Sequence, residues 1–316
     1  MPTLPRDLPI WTMAANALRA GRPAALLCVV RSEGSSPGRQ GFKMTVTAEA
    51  VAGSIGGGIM EHKWVELARQ RLHAGDYAPL LRPQIHRREA PADRSGMMCA
   101  GEQEVLLWPL RPTDLAVVAA IEEELRNFDK GAWEVSEADG LRLVSGVPAN
   151  FYDYQPGLAW YYREQLGFRD QLIIVGGGHV SLALSQVASN LEFELTVLDD
   201  RVDLPTLAAN RFAHHRQQVN YETLAVPPGP HCYVVVMTVG YRTDIVVLRR
   251  LLGHEYRYLG VLGSATKVAE LRRVLVEEGF DLSGLRGPVG VPINSRLPEE
   301  IAVSVAAELI AVRNQK

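Results

Sequence analysis

The sequence predicts an α/β protein in two parts: an N-terminal α+β domain over residues 1–167, linker included, and a C-terminal Rossmann-like domain with a doubly wound parallel sheet over 168–316. Three observations carry that expectation. A chain of 316 residues, 47% hydrophobic and 22% charged, buries a sizeable core and most often divides into two domains. The aromatic run "FYDYQPGLAWYY" at 151–162, with Pro156-Gly157 inside it, reads as the join, and beyond it the pattern changes to alternating strand and helix. Each part also carries its own glycine-rich turn, "GSIGGGIMEH" at 53–62 and "VGGGHVS" at 175–181.

In the first part, Asp7 is placed to cap a helix whose apolar residues Ile10, Met13, Ala14, Ala17 and Leu18 share a face, with Gly21 as its stop. A buried strand follows at 24–30. The turn-rich loop "RSEGSSPGRQG" leads into "FKMTVT" and "AVAGSI", two short runs that read as a hairpin. From Ile59 to about Leu72, helical spacing of Met60, Trp64, Leu67, Ala68 and Leu72 places Gly56, Gly57 and Gly58 just before a helix N-terminus. Such glycines let the backbone approach a ligand, and the unpaired first-turn N–H groups favour an anion. A plain strand-to-helix turn is the alternative, and Glu61 already offers a carboxylate to the helix dipole. Further on come a strand at "EVLLWPL", a helix over 114–127 and a hairpin turn at Asp139-Gly140.

The second part opens with "QLIIVGGGHVSLALSQVASNLEFELTVLDDR", a strand, a glycine turn, a helix with Val180, Leu184 and Val187 on one face, a second strand and an acidic end. Gly176 and Gly178 fill the first two places of a G-x-G-x-x-G fingerprint, Ser181 takes the third, and Asp199 stands where a ribose-binding carboxylate is expected. Strands at "CYVVVMTVG" and "YRYLGVLG", with a helix over 243–253 between them, extend the sheet. "LGSATKVAELRRVLVEEG" repeats the strand, turn and helix order, and puts Gly263, Ser264 and Lys267 at the expected ligand crevice; a solvated first-turn lysine is the alternative reading of Lys267. The last helix, from Pro298, buries a stripe of Ile301, Val305, Leu309 and Val312.

Charge and cysteine usage narrow the function. A formal net charge of −3 gives no basic excess for nucleic acid or anionic lipid, and apolar runs such as "AALLCVV" are too short to span a bilayer. Three widely separated cysteines and a start without an apolar leader point to the cytoplasm. Cys28 and Cys232 lie within strands and read as small hydrophobes; Cys99, in "SGMMCAGEQEV", precedes a strand in a loop and is the cysteine to consider for chemistry, with the small-hydrophobe reading equally open for it. No Cys/His spacing matches a zinc site.

"SEGSSPGRQGFKM", "GSIGGGIMEHKWVELARQ", Cys99-Ala100-Gly101, the turn at 176–181, "LGSATK" and "IAVSVAAELIA" together resemble the XdhC/CoxI family, accessory factors for molybdenum hydroxylases, over nearly the whole chain. "IGGG" and "GSATK" resemble the xanthine dehydrogenase branch more than the CoxI branch. The resemblance implies a carrier that binds the molybdenum cofactor, molybdopterin, protects it, and hands it to an apo molybdenum hydroxylase after its sulfido ligand is installed, with a cysteine desulfurase as a possible second partner and a homodimer as the expected assembly. It places Cys99 beside the metal, Gly56, Gly57 and Gly58 with Arg39 and Lys43 near phosphate or pterin, and Gly176, Gly178, Asp199, Ser264 and Lys267 on the second domain's side, so that both glycine turns face one elongated ligand. Two departures stand out: Ala100 where relatives often carry glycine, and Val239 after Thr238 where they often carry histidine. Two other readings stay open. One is an NAD(P)-dependent oxidoreductase, favoured by Asp199 but short of a proton donor other than His179. The other is a non-catalytic adaptor whose glycine turns are structural.

Overall fold

A computed structural model describes residues 2–85, 101–146 and 150–315. The chain divides into two compact units, Leu4–Gly167 and Phe168–Lys316, the second joined by the N-terminal residues 1–3.

The first unit contains α1 (Leu8–Arg19), β1 (Ala24–Gly34), β2 (Lys43–Thr47), β3 (Val51–Gly53), α2 (Gly58–His73), β4 (Leu80–Ile85), β5 (Gly101–Leu110), α3 (Leu115–Asn127), β6 (Ala132–Ser136), β7 (Gly140–Val144), β8 (Tyr152–Gln155) and β9 (Tyr161–Gln165). An antiparallel sheet runs β3-β2-β1-β5-β4, and a second runs β7-β6-β9-β8. The unbroken apolar run of β1 has a simple cause. Ala25, Leu27 and Val29 pack with Trp64, Val65 and Ala68 of α2, while Leu26, Cys28 and Val30 pack with α1, α3 and the second sheet, so both faces of the strand are covered.

Two expectations are corrected here. The aromatic stretch 151–162 is no linker: it forms most of the β8–β9 hairpin, with Tyr162 wholly buried on β9 and Pro156-Gly157 in the connection. Asp7 does precede α1 but makes no side-chain cap; its carboxylate reaches Lys43.

The second unit contains β10 (Asp170–Val175), α4 (His179–Ala188), β11 (Phe193–Asp199), α5 (Pro205–Ala208), β12 (His215–Gln218), β13 (Gly229–Val236), α6 (Tyr241–Leu251), β14 (Tyr256–Val261), α7 (Ala265–Glu277), β15 (Leu285–Arg286) and α8 (Pro298–Arg313). The sheet is parallel throughout in the order β12-β11-β10-β13-β14-β15. Alternate residues of β10 and β13 serve opposite faces: Leu172, Ile174, Tyr233 and Val235 pack with α4 and α8, and Ile173, Val175, Val234 and Val236 with α6 and α7. The strand order reverses direction between β10 and β13, which makes the carboxyl ends of these two strands the topological switch point. Among the described residues no helix is long and apolar enough to cross a membrane.

Candidate functional site

In the first unit the turn between β3 and α2 is an anion nest that the chain itself has filled. Oε2 of Glu61 accepts hydrogen bonds from Ser54 Oγ at 2.6 Å and from the backbone N–H groups of Ile55 and Gly57, each at 2.9 Å. A first-turn carboxylate thus takes up these three donors of the turn. Gly56 has φ 127°, and a Cβ there would stand 2.5 Å from the nitrogen of Gly38, so the turn and the loop carrying Arg39 meet backbone to backbone. At Gly57, which caps α2, a Cβ would meet nothing within 4 Å, leaving an open approach to the helix start. Gly58 is the first residue of α2.

Arg39 lies on the surface of that neighbouring loop, its guanidinium donating to the carbonyl of Gly34 at 2.7 Å. Lys43 does not join it. Its ammonium is wholly buried, paired with Asp7 and with Glu164 at 2.6 Å, and Tyr162 donates to the other oxygen of Glu164 at 2.7 Å. An amine locked between two carboxylates in the core cannot also face an external phosphate, so Lys43 leaves the set of ligand-facing residues; its role is to compensate buried charge. Burial pushes the Glu164 carboxyl up to about 7, against the pull of Lys43. Burial likewise pushes the Cys28 thiol far up, which keeps it a neutral core residue. Cys99 lies outside the described residues. Among the described residues no group of three or more His, Cys, Asp or Glu is arranged to hold a metal ion.

In the second unit the glycine turn sits at the switch point. Gly176 has φ 116°, and a Cβ there would fall 2.2 Å from the carbonyl oxygen of Met237, so only glycine lets β10 leave the sheet against the exit of β13. Gly178 caps α4 and has open space where a side chain would be, which leaves the first-turn amides of α4 approachable. Ser181, in the third glycine's place, is buried and its hydroxyl has no hydrogen-bond partner among the described residues.

Asp199 ends β11 but does not present itself to a ribose. Its carboxylate is buried and accepts the Gly177 N–H at 2.6 Å, the Arg201 N–H at 2.9 Å, and the Arg201 guanidinium at 2.8 and 2.7 Å. Burial raises its pKa, and these donors outweigh the burial and hold the carboxyl below its ordinary range. Sequence spacing found Asp199; the arginine two residues later, which closes it, was the signal left unread.

Across the switch point, Ser264 caps α7 by accepting the Lys267 N–H at 3.2 Å. The ammonium of Lys267 pairs with the buried Asp244 and donates to the carbonyl of Leu262 at 3.0 Å. Asp244 in turn accepts from the N–H and hydroxyl of Thr238, at 3.1 and 2.6 Å. Lys267 is therefore a fixed cation at the start of α7, a quarter exposed, and not the solvated lysine of the alternative reading. The structure thus places Gly176 and Gly178 in one turn, tied through the Gly177 N–H to Asp199 at the end of β11, and Ser264 and Lys267 at the start of α7; Gly176 lies against Met237-Thr238, where the Asp244 network begins.

The chain's similarities follow the same division. The model of the XdhC Rossmann domain matches residues 172–309, and that of the XdhC and CoxI family matches residues 17–82. The uncharacterized protein YqeB of Escherichia coli is 26% identical over 314 residues, spanning 96% of this chain and 46% of that protein. A protein of Bacillus subtilis described as a probable xanthine dehydrogenase subunit is 30% identical over 185 residues, 56% of this chain and 52% of that protein. The chain thus spans about half the length of the curated relatives it matches. A crystal structure of a xanthine dehydrogenase from Bacillus halodurans shares the fold, with a TM-score of 0.71 at 22% identity over 97% of this chain and 96% of that one. With models of this one family matched in order on both units, the chain belongs to the XdhC/CoxI family.

Proposed function

We propose that the protein is an accessory factor that binds the molybdenum cofactor and delivers it to an apo molybdenum hydroxylase of the xanthine dehydrogenase type, without turnover of its own. Family membership points to molybdopterin-related function. The observation that carries the choice over an NAD-dependent oxidoreductase is Asp199: the carboxylate that an NAD ribose needs is closed on Arg201 and Gly177.

The residues suit the cargo in kind. Molybdopterin brings a phosphate and a soft, dithiolene-held metal. In the second unit the open first turn of α4 at Gly178, with Gly176 making the close strand exit, is suited to the phosphate, and the start of α7 at Ser264 and Lys267 supplies a fixed cation. In the first unit Gly56–Gly58 and the exposed Arg39 are assigned to the pterin or phosphate, and Cys99 as a thiolate to the metal. Delivery further implies contact with the apo-hydroxylase and with a cysteine desulfurase, a cytoplasmic setting and a homodimeric carrier.

The test is titration of the full chain with molybdopterin cofactor and, separately, with NADH, followed by gel filtration. Retained pterin absorbance is expected with wild type and reduced retention with Cys99→Ser at unchanged folding. Quenched nicotinamide fluorescence with no retained pterin would replace the carrier by the oxidoreductase; binding of neither would leave the adaptor.

A further inference from the structure

Two buried glutamines hold together the two backbone segments that face each other at the first glycine turn. Gln103 on β5 and Gln84 on β4 are only 4% and 2% exposed. Gln103 Oε1 accepts the N–H of Gly38 at 2.9 Å, and its Nε2 donates to Gln84 Oε1 at 3.0 Å, with the carbonyl of Ile55 at 3.5 Å beside it. Gln84 Oε1 also accepts the indole N–H of Trp64, on α2, at 3.3 Å.

This side chain lies where three chain segments meet without room for a Cβ. At Gly38 a Cβ would stand 2.2 Å from the Ile55 carbonyl and 2.8 Å from Gln103 Oε1; at Gly56, 2.5 Å from the Gly38 nitrogen; at Gly101, 2.3 Å from the Ser36 nitrogen. The glycines allow the approach but carry no side chain to fix its spacing. The amide of Gln103 does fix it: an acceptor for one loop, a donor towards the other, and an orientation set by Gln84, whose Oε1 must face the two donors Trp64 Nε1 and Gln103 Nε2. Glu61 holds the same turn from its amide side, so the turn is pinned from both flanks.

We infer that Gln103, oriented by Gln84, is a positioning residue for cofactor binding in the first unit, setting the separation between the loop that carries Arg39 and the Gly56–Gly58 turn. This inference rests on the carrier reading. A ligand with a charged end and a flat ring system needs both segments at a fixed spacing, and loosened segments lose affinity without unfolding the unit.

The experiment compares full-length wild type with Gln103→Met, Gln84→Met, Gln84→Glu and, as a stability control, Ile121→Val in the α3 core away from the turn. Each is titrated with molybdopterin cofactor at a temperature where its melting curve shows it folded. Gln103→Met and Gln84→Met are expected to bind about tenfold more weakly. Gln84→Glu, compared with the others at pH 5.5, where burial keeps its carboxyl protonated and its carbonyl oxygen still accepts from both donors, should restore most of the affinity, and Ile121→Val should bind as wild type does. If Gln103→Met fails to fold, the contrast between Gln84→Met and Gln84→Glu decides the question. Wild type that binds while all variants bind equally overturns the positioning role alone. Affinity loss that appears equally in Ile121→Val also overturns it, by reducing it to stability. Wild type that fails to bind overturns the carrier reading, and this inference with it.

Discussion

Replacing Lys43 by methionine removes one charge from the core of the first unit and leaves two carboxylates, Asp7 and Glu164, where an ammonium had stood between them. Breaking a buried pair by deleting one partner typically costs about 3–5 kcal/mol, because the remaining charge loses its compensation. Protonation limits that cost. Burial already holds the Glu164 carboxyl at about 7 even with Lys43 pulling it down, so without the lysine it rises further. A carboxyl whose folded pKa is raised favours the native state below its unfolded value, here 4.5, and loses that contribution as pH rises through the folded value. At pH 5.5 Glu164 is mostly protonated in both proteins and the deficit should be about 1–2 kcal/mol, chiefly lost hydrogen bonds. At pH 8.5 wild type carries the paired ion and the variant does not, so the full deficit applies, lowering the melting temperature by roughly 6–20 °C for a unit of this size. The readout is clean: all five tryptophans, Trp11, Trp64, Trp108, Trp133 and Trp160, lie in this unit, so fluorescence melting follows it alone. A deficit below about 1 kcal/mol at pH 8.5, or one equal at both pH values, would refute the core-ion account and return Lys43 to the ligand-facing set.

Gly176→Ala should destabilise the second unit by about 2–3 kcal/mol, through positive φ and the clash with Met237, measured by circular dichroism melting. Glu61→Ala strips the acceptor from three donors at the first glycine turn and should cost about 1–3 kcal/mol by tryptophan melting; no change would mean that water replaces it freely. Asp199→Asn should lose about 1–3 kcal/mol at pH 7. Because the folded pKa of Asp199 is depressed, its contribution is present above the ordinary value of 3.8 and lost as pH falls through the folded value, so the two proteins should converge in strong acid. Lys267→Met should destabilise the second unit by about 3–5 kcal/mol, since Asp244 is fully buried beside it, and Lys267→Met with Asp244→Asn should recover part of the loss.

The fold was legible wherever one period governed a segment. The run 24–30 is apolar on both faces because two layers cover it, and the helices that begin at Gly58, His179 and Pro298 followed from spacing and glycine or proline at their starts. The hairpin of 151–162 was missed because its tyrosines, with Pro156-Gly157, look like a linker until a second sheet is there to receive them. The short strand His215–Gln218 is an exposed edge with no apolar pattern to announce it. At the candidate site, backbone features read well: Gly56 and Gly176 are required by contacts under 3 Å. Side-chain pairing did not, because the partners that decide availability are distant in sequence: Glu164 for Lys43, Gln103 for Gly38, Asp244 for Lys267. Spacing can nominate a charged residue but cannot say whether another part of the fold has already claimed it.

The most direct test of the account is transfer: the full chain loaded with molybdenum cofactor, freed of excess by gel filtration, is mixed with an apo molybdenum hydroxylase of the xanthine dehydrogenase type, and hydroxylase activity is followed against an equal amount of free cofactor. Activity recovered from the loaded protein, resisting a cofactor scavenger and reduced in Cys99→Ser, is the predicted result. Loaded protein that carries no cofactor through the column, or that activates no better than free cofactor under the scavenger, would contradict it.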